Sequence, residues 1–238
     1  MKAILVAGGY GTRLQPLTHH IPKCLVKVGG VPILDIWLAQ LFTNGFSEVL
    51  INTHYLAELV ESHIRKSKWI DRVTVVHEPE LLGTAGTLKA NYSFWRGEDI
   101  LFAHADNLCL TDWRAFKATF LNRAAHVKAT LMLFHTSTPS SCGMVEINRE
   151  MELLNYVEKP EAPWEGSLAN AAVMFLSEPC LQEVLHLPEY ENDVCRDYLP
   201  TLLGRANCFV NEQTLIDIGT PKSLALANEV VSNDFIFK

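Results

Sequence analysis

The residues best suited to chemistry lie in one stretch near the start of the chain, Gly8-Gly9-Tyr10-Gly11-Thr12-Arg13-Leu14-Gln15-Pro16-Leu17-Thr18, with Pro22-Lys23 following. Glycines at the end of a strand let backbone N–H groups converge on phosphate oxygens, because no Cβ blocks the approach. Arg13 adds a planar fork suited to phosphate, and Lys23 a mobile point charge. The chemistry implied is recognition of a phosphorylated ligand. A plain glycine turn with two surface cations is the competing reading of Gly8-Gly9 alone. Two familiar phosphate motifs fail on spacing. A dinucleotide fingerprint G-x-G-x-x-G needs a third glycine where Leu14 stands. A P-loop needs G-x-x-x-x-G-K-[ST], and no lysine follows these glycines at that distance.

A loop of this kind has to be carried by a strand, and residues 3–7 form a continuous apolar run that stops at glycine, the pattern of a strand buried on both faces. The periodicity then predicts a helix over 33–44 ended by Gly45, a strand over 48–53, a helix over 57–67 and a strand over 72–77. A glycine-containing loop over 81–86, a short helix to about Phe94, a strand over 99–105 and a helix over 112–125 with Thr111 as N-cap complete the first half. Strands alternating with helices of this length predict an α/β fold with a doubly wound, mixed but mostly parallel sheet. Ligands of such sheets sit beyond the carboxyl ends of the strands, which is where the glycine loop and residues 104–108 fall. The second half reads as strands over 128–135, 142–148, 153–158 and 169–176, helices over 177–186 and 194–203, short strands over 206–210 and 213–217, and a final helix over 221–231. No Pro/Ser/Gly-rich linker separates the halves, so residues 1–238 are expected to form a single domain.

Composition narrows the classes. With 48% hydrophobic and 20% charged residues among 238, the chain has enough apolar surface to bury a core, which excludes general disorder. A net charge of −7 argues against a nucleic-acid partner, whose binding depends on basic side chains over phosphates. The six cysteines include no C-x-x-C pair, and the nine histidines match no metal-ligand spacing; the thiols read as those of a reducing compartment. The apolar run after Lys2 is too short for an export signal, and no stretch reaches the ~18 apolar residues of a membrane helix. The expectation is a soluble cytoplasmic protein without a membrane partner.

The whole stretch from Gly8 to Leu34 resembles the signature of the sugar-1-phosphate nucleotidylyltransferases, G-G-x-G-T-R-L-x-P-L-T, then P-K, then V-x-G-x-P. The resemblance continues through nearly the full chain. His104-Ala105-Asp106-Asn107 falls where this family has an Mg²⁺-binding aspartate, and Leu82-Gly83-Thr84-Ala85-Gly86-Thr87 is similar to its nucleobase loop. Val157-Glu158-Lys159-Pro160 resembles its sugar-phosphate motif, Asn170-Ala171-Ala172-Val173 its N-x-G-x-Y segment, and Asp217-Ile218-Gly219-Thr220-Pro221 the element that supplies a second metal carboxylate. Ala172 and Met174 depart from the family's usual Gly and Tyr.

The resemblance implies a Rossmann-like nucleotide-diphospho-sugar transferase fold, with residues 1–125 as nucleotide-binding half and 126–238 as sugar-phosphate half of one catalytic domain. It leaves no room for the β-helix of longer members. It assigns catalysis to Arg13, Lys23 and Asp106. Nucleotide binding falls to Ala7, Gly8, Gly9, Gly11, Thr12, Gly83, Thr84, Ala85 and Asn107, and the sugar phosphate to Gly143, Glu158, Lys159 and Asn170. Asp106 and Asp217 would hold Mg²⁺ as cofactor; the ion takes oxygen ligands and accepts one or two carboxylates beside substrate phosphates. The reaction implied joins a nucleoside triphosphate to a sugar 1-phosphate and releases pyrophosphate. The segments 52–58 and 79–86 resemble mannose-1-phosphate guanylyltransferases more than thymidylyl- or uridylyltransferases, which favours GTP and a manno-configured sugar 1-phosphate. The alternatives are a dTTP- or UTP-dependent glucose-1-phosphate (or amino-sugar or muramate 1-phosphate) enzyme and a non-catalytic sugar-nucleotide-binding protein. A glycosyltransferase would be expected to carry an Asp-x-Asp pair, and His104-Ala105-Asp106 holds one acid. Self-association is left open.

Overall fold

The computed structural model of the chain describes residues 1–233. In chain order the strands are β1 (Lys2–Val6), β2 (Lys27–Val28), β3 (Val31–Pro32), β4 (Val49–Thr53), β5 (Val73–His77), β6 (Ile100–His104), β7 (Asn107–Cys109), β8 (Ala129–His135), β9 (Gly143–Ile147), β10 (Leu153–Glu158), β11 (Leu168–Leu176), β12 (Ala206–Val210) and β13 (Leu215–Asp217). The helices are α1 (Ile33–Thr43), α2 (Ala57–Arg65), α3 (Gly83–Ala90), α4 (Tyr92–Trp95), α5 (Trp113–Leu121), α6 (Glu178–Leu185) and α7 (Pro221–Asn233). These elements form two compact units that interleave along the chain. One holds 3–81, 104–110 and the chain from Thr214; the other holds 1–2, 82–103 and 111–213. The division does not follow the 125/126 boundary: α3, α4 and α5 belong to the second unit, while β13 and α7 return to the unit that carries the glycine loop.

In the glycine-loop unit β1 pairs in parallel with β4, Ala3 opposite Val49 and Val6 opposite Asn52, and β4 pairs in parallel with β5. Ala3, Ile4, Leu5, Leu50 and Ile51 are all buried, so β1 and β4 expose neither face. Helix α2 turns its apolar stripe of Ala57, Val60 and Ile64 inward and its charged face out. Helix α1 stops before Gly45, which takes the left-handed conformation that closes helices. Its Trp37 is fully buried, and the indole N–H donates to the Asn107 carbonyl at 2.9 Å. Burying that ring without a partner for its N–H would cost stability, so the bond also fixes the start of β7. Strand β7 pairs antiparallel with β13, setting Asn107 opposite Asp217. Strands β2 and β3 form a hairpin at Gly29-Gly30, where Gly29 N–H donates to Asn228 Oδ1 of α7.

The second unit is mixed in sense. Strand β11 pairs antiparallel with β6, β8 and β9, β9 with β10, while β12 joins β8 in parallel. Its core is aromatic: Phe116 and Phe120 of α5 lie 4.6 and 5.0 Å from Phe175 of β11, centroid to centroid, and Phe209 of β12 is 5.3 Å from Phe116. Truncating a buried Phe of this kind costs about 3–5 kcal/mol. At the edge of this core Glu183 of α6 takes an ion pair from Lys128, two bonds from Arg205 at 3.0 and 3.2 Å, and the Tyr198 hydroxyl at 2.9 Å. Burial pushes its carboxyl up, but these donors outweigh it and hold the acid below its ordinary range.

The structure departs from the sequence reading in four places. Asp112, not Thr111, caps α5, its Oδ1 accepting from Ala115 N at 2.9 Å. The expected loop over 81–86 becomes helical from Gly83, because Ala85 N–H is satisfied by the distant Asn192 carbonyl at 2.8 Å. The expected helix over 194–203 is a π-turn, Val194–Tyr198, followed by a 3-10 turn, Leu199–Leu202; Pro200 cannot continue an α-helix. The short strands β2, β3 and β7 carry too few residues for a periodicity. No described helix is long and apolar enough to cross a membrane.

Candidate active site

The glycine loop leaves the end of β1 and is held from several sides. Ala7 N–H donates to Asn52 Oδ1 at 2.8 Å, and Asn52 Nδ2 donates to Glu78 Oε1 at 3.1 Å. Gly11 has φ of 64°, and a Cβ there would lie 2.9 Å from the Thr18 methyl, so glycine is required twice over. The Thr18 hydroxyl donates to the Gly11 carbonyl at 2.8 Å and pins the loop to the turn that follows. A 3-10 turn over Thr12–Leu14 buries Leu14 and leaves Arg13 largely exposed. A later 3-10 turn, Lys23–Leu25, starts after Pro22 and sends the buried Lys23 side chain back toward the loop.

Two acids meet that lysine. Lys23 Nζ donates to Asp106 Oδ2 at 2.7 Å and to Asp217 Oδ1 at 2.6 Å, and Arg13 donates to Asp217 Oδ2 at 2.9 Å. The acids are far apart in sequence; the β7–β13 pairing and the Ile218 N–H to Asp106 carbonyl bond at 3.3 Å bring them together. Gly219 N–H donates to Asp217 Oδ1 at 2.9 Å, and a Cβ at Gly219 would lie 2.7 Å from the Arg13 guanidinium. Burial pushes the Asp217 carboxyl up, yet Lys23 and Arg13 outweigh it and keep the acid ionised below the usual carboxylate range. Ala7, Gly9, Gly11, Thr12, Arg13, Lys23 and Asp106 line one open cavity of about 160 Å³, together with Val6, Cys24 and Gly219. Burial, with Asp106 adding to it, pushes the Cys24 thiol up to about 12, so it stays protonated and is no nucleophile at neutral pH.

Of the residues expected to act, those seven form one constellation with Asp217. Gly8 adjoins it, its Cα facing Leu81, Asn52 and His54, and Asn107 is held by Trp37. The remaining ones lie in the second unit, in two clusters. Thr84 Oγ1 accepts Val194 N–H at 2.7 Å and donates to Asp193 Oδ2 at 3.3 Å, beside Gly83 and Ala85 at the start of α3. Gly143, Glu158, Lys159 and Asn170 gather where β9, β10 and β11 run together. Sequence reasoning gave no role to Asn52, Glu78 or Thr18, the groups that hold the loop. Only their positions at strand ends and just after the glycines could have signalled them. It also missed the Tyr10–His54 pair, joined at 3.0 Å, with His54 Nδ1 bonded to the Glu78 carbonyl at 2.8 Å.

The donor chemistry at Asp106 and Asp217 suits a hard divalent cation. Two carboxylate oxygens already converge on a single positive group, and neither thiolate nor imidazole stands among them.

A family profile described as nucleotidyl transferase matches residues 2–234. The chain is 28% identical over 230 residues to the mannose-1-phosphate guanyltransferase of Debaryomyces hansenii, covering 93% of this chain and 62% of that protein. It is 28% identical over 229 residues to the mannose-1-phosphate guanylyltransferase catalytic subunit beta of Xenopus tropicalis, again with 93% and 62% coverage. The chain therefore spans about three-fifths of the length of these relatives. Among solved structures, HddC of Yersinia pseudotuberculosis complexed with GMP-PN superposes with a TM-score of 0.79 at 23% identity, covering 96% of this chain and 98% of that one. A Bacillus anthracis protein provisionally assigned as a glucose-1-phosphate thymidylyltransferase superposes with a TM-score of 0.84 at 22% identity, over 98% and 96%. Those structures share the Rossmann-like nucleotide-sugar transferase fold with this chain. Since the profile spans the chain almost from end to end, the protein belongs to the nucleotidyl transferase family.

Proposed function

We propose that the protein is a sugar-1-phosphate nucleotidylyltransferase that uses GTP and a manno-configured sugar 1-phosphate. The observation that carries the reading is the convergence of Lys23 and Arg13 with Asp106 and Asp217 at the mouth of the glycine loop. A triphosphate and a sugar phosphate, the latter carrying roughly −2, repel one another, and the protein itself is acidic. Fixed cations at the glycine loop offset that repulsion.

In this reading the backbone N–H groups of Gly8 to Thr12 bind the phosphates, and Arg13 and Lys23 hold the pyrophosphate end. Lys159 binds the phosphate of the sugar. An oxygen of the sugar phosphate attacks the α-phosphorus in line, a new P–O bond forms, and the bond to pyrophosphate breaks with its electron pair leaving on the bridging oxygen. No general base is needed, since the attacking phosphate is already an anion near neutral pH. Catalysis is positioning and charge stabilisation, as in phosphoryl transfer generally. Asp106 and Asp217 would hold Mg²⁺, which supplies Lewis-acid neutralisation of phosphate charge when bound.

Guanine is supported by the names of the relatives, mannose-1-phosphate guanyltransferases at 28% identity. The fold shared with the Bacillus anthracis protein provisionally assigned as a glucose-1-phosphate thymidylyltransferase keeps dTTP as the competitor. Pyrophosphate release measured across GTP, dTTP, UTP and ATP, each with mannose 1-phosphate and glucose 1-phosphate, with and without Mg²⁺, tests the reading. The highest kcat/KM is expected for GTP with mannose 1-phosphate. No turnover with any pair would overturn the enzymatic reading, and faster turnover with dTTP or UTP the choice of base.

A further inference from the structure

We propose that Tyr156 is a positioning residue that fixes the orientation of the Glu158 carboxylate within the sugar-phosphate cluster of β9, β10 and β11. This deepens the reading above and rests on it.

The two side chains are two residues apart on β10 and so emerge on the same face of the strand. Tyr156 is buried, and its hydroxyl donates to Glu158 Oε2 at 2.6 Å, the short distance of a charge-assisted bond. Burial above all, with Cys195 and Glu158 adding to it, pushes the phenol far above its ordinary value, so it remains a donor throughout the working range. The neighbouring strand makes room for the pair. Gly143 stands opposite Glu158, and a Cβ there would lie 2.6 Å from Glu158 Oε2 and 2.8 Å from Tyr156 Cζ. With Oε2 engaged, the carboxylate plane is fixed, and Oε1 lies 3.6 Å from the largely exposed Lys159 ammonium.

The backbone around this pair is strained in a way that ordinary strands avoid. Lys159 has φ of 47° and Ala172 φ of 53°, both left-handed and neither glycine. Asn170 Oδ1 accepts Ala172 N–H at 3.1 Å, and the register of β11 against β8 shifts between Asn170 and Met174. Strain of this kind persists where surrounding structure over-determines it, and it gathers at ligand sites. An acceptor oxygen beside an ammonium fits a ligand that presents a hydroxyl beside a phosphate, which a sugar phosphate does. Without Tyr156 the carboxylate would be free to rotate, and that arrangement would be lost.

The test is equilibrium binding of mannose 1-phosphate and glucose 1-phosphate to the full chain without nucleotide, by calorimetry. Tyr156→Phe and Glu158→Gln are each expected to weaken binding about tenfold, the scale of one hydrogen bond to a charged group. The double variant should bind no more than about twofold worse than Glu158→Gln alone, since Tyr156 acts through that carboxylate. Binding of GTP should be unchanged in all three. Gly143→Ala, which displaces the pair but keeps the phenol, should reproduce the loss if Tyr156→Phe folds poorly. Wild-type affinity in Tyr156→Phe, or a loss that adds in full to that of Glu158→Gln, would overturn the proposal. So would a wild-type protein that binds no sugar phosphate. Intact sugar-phosphate binding without any nucleotidyl transfer would instead sink the enzymatic reading and leave this pair standing.

Discussion

Ala172 offers a test of the backbone account with an unusual sign. It sits in β11 at φ of 53°, beside Ala171, a buried residue of the same strand with ordinary backbone. A non-glycine residue held in the left-handed region costs about 1–3 kcal/mol. Ala172→Gly removes that cost, against about 0.4–1 kcal/mol of added freedom in the unfolded chain. The half-buried methyl takes back a few tenths more, on a scale where a fully buried methylene is worth ~0.8 kcal/mol. The balance is a gain of about 1 kcal/mol, or about 2–4 °C in Tm for a chain of this size. Ala171→Gly has no strain to release and should lower Tm. Thermal unfolding of both variants beside wild type is the assay. Equal losses in the two would refute the strained geometry at Ala172 and weaken the case for a ligand site there.

Other consequences follow from the titrating groups. The Glu183 carboxyl is held below its ordinary 4.5 in the fold, so it contributes stability above that pH and loses it as pH falls through the lowered value. The stability gap between Glu183→Gln and wild type should therefore be widest near neutrality and narrow as pH falls below 4.5 toward the lowered value, which unfolding curves at several pH values would read. A gap that persists in acid would exclude the carboxylate as its source. Burial pushes Cys24, Cys109, Cys180 and Cys208 up to about 12 and raises Cys195 further, whereas Cys142 is part-exposed. A thiol reagent at pH 8 should modify Cys142 first, and the other five only on unfolding; rapid reaction at Cys24 would contradict its burial.

Much of the fold was legible because its signals are local. The apolar run ending at Gly8, the stripe Ala57, Val60 and Ile64, and Gly45 after α1 each set an element by short-range chemistry. The glycine loop, Arg13 and Lys23 were readable for the same reason, since a residue type alone limits what backbone or phosphate can do there. What escaped depends on distant partners. The start of α3 is capped by Asn192, more than a hundred residues on, and no window around Gly83 contains that carbonyl. The interleaving of the two units follows from β7 pairing with β13; β7 is too short to carry a periodicity, and the partner of the strand expected over 213–217 lies about a hundred residues away. Asn52 and Glu78 looked like ordinary strand-end residues, and only their mutual bond and the Ala7 amide reveal what they support.

The central claim is that two carboxylates and two cations at the glycine loop let mutually repelling anions react. Initial rates of Mg²⁺-dependent pyrophosphate release, measured for wild type, Asp106→Asn and Asp217→Asn at matched protein folding, test it most directly. The account predicts a cation requirement in wild type and a fall of about 10²–10³ in each variant, the usual scale for losing one charge-stabilising group. Wild-type rates in both variants would contradict it.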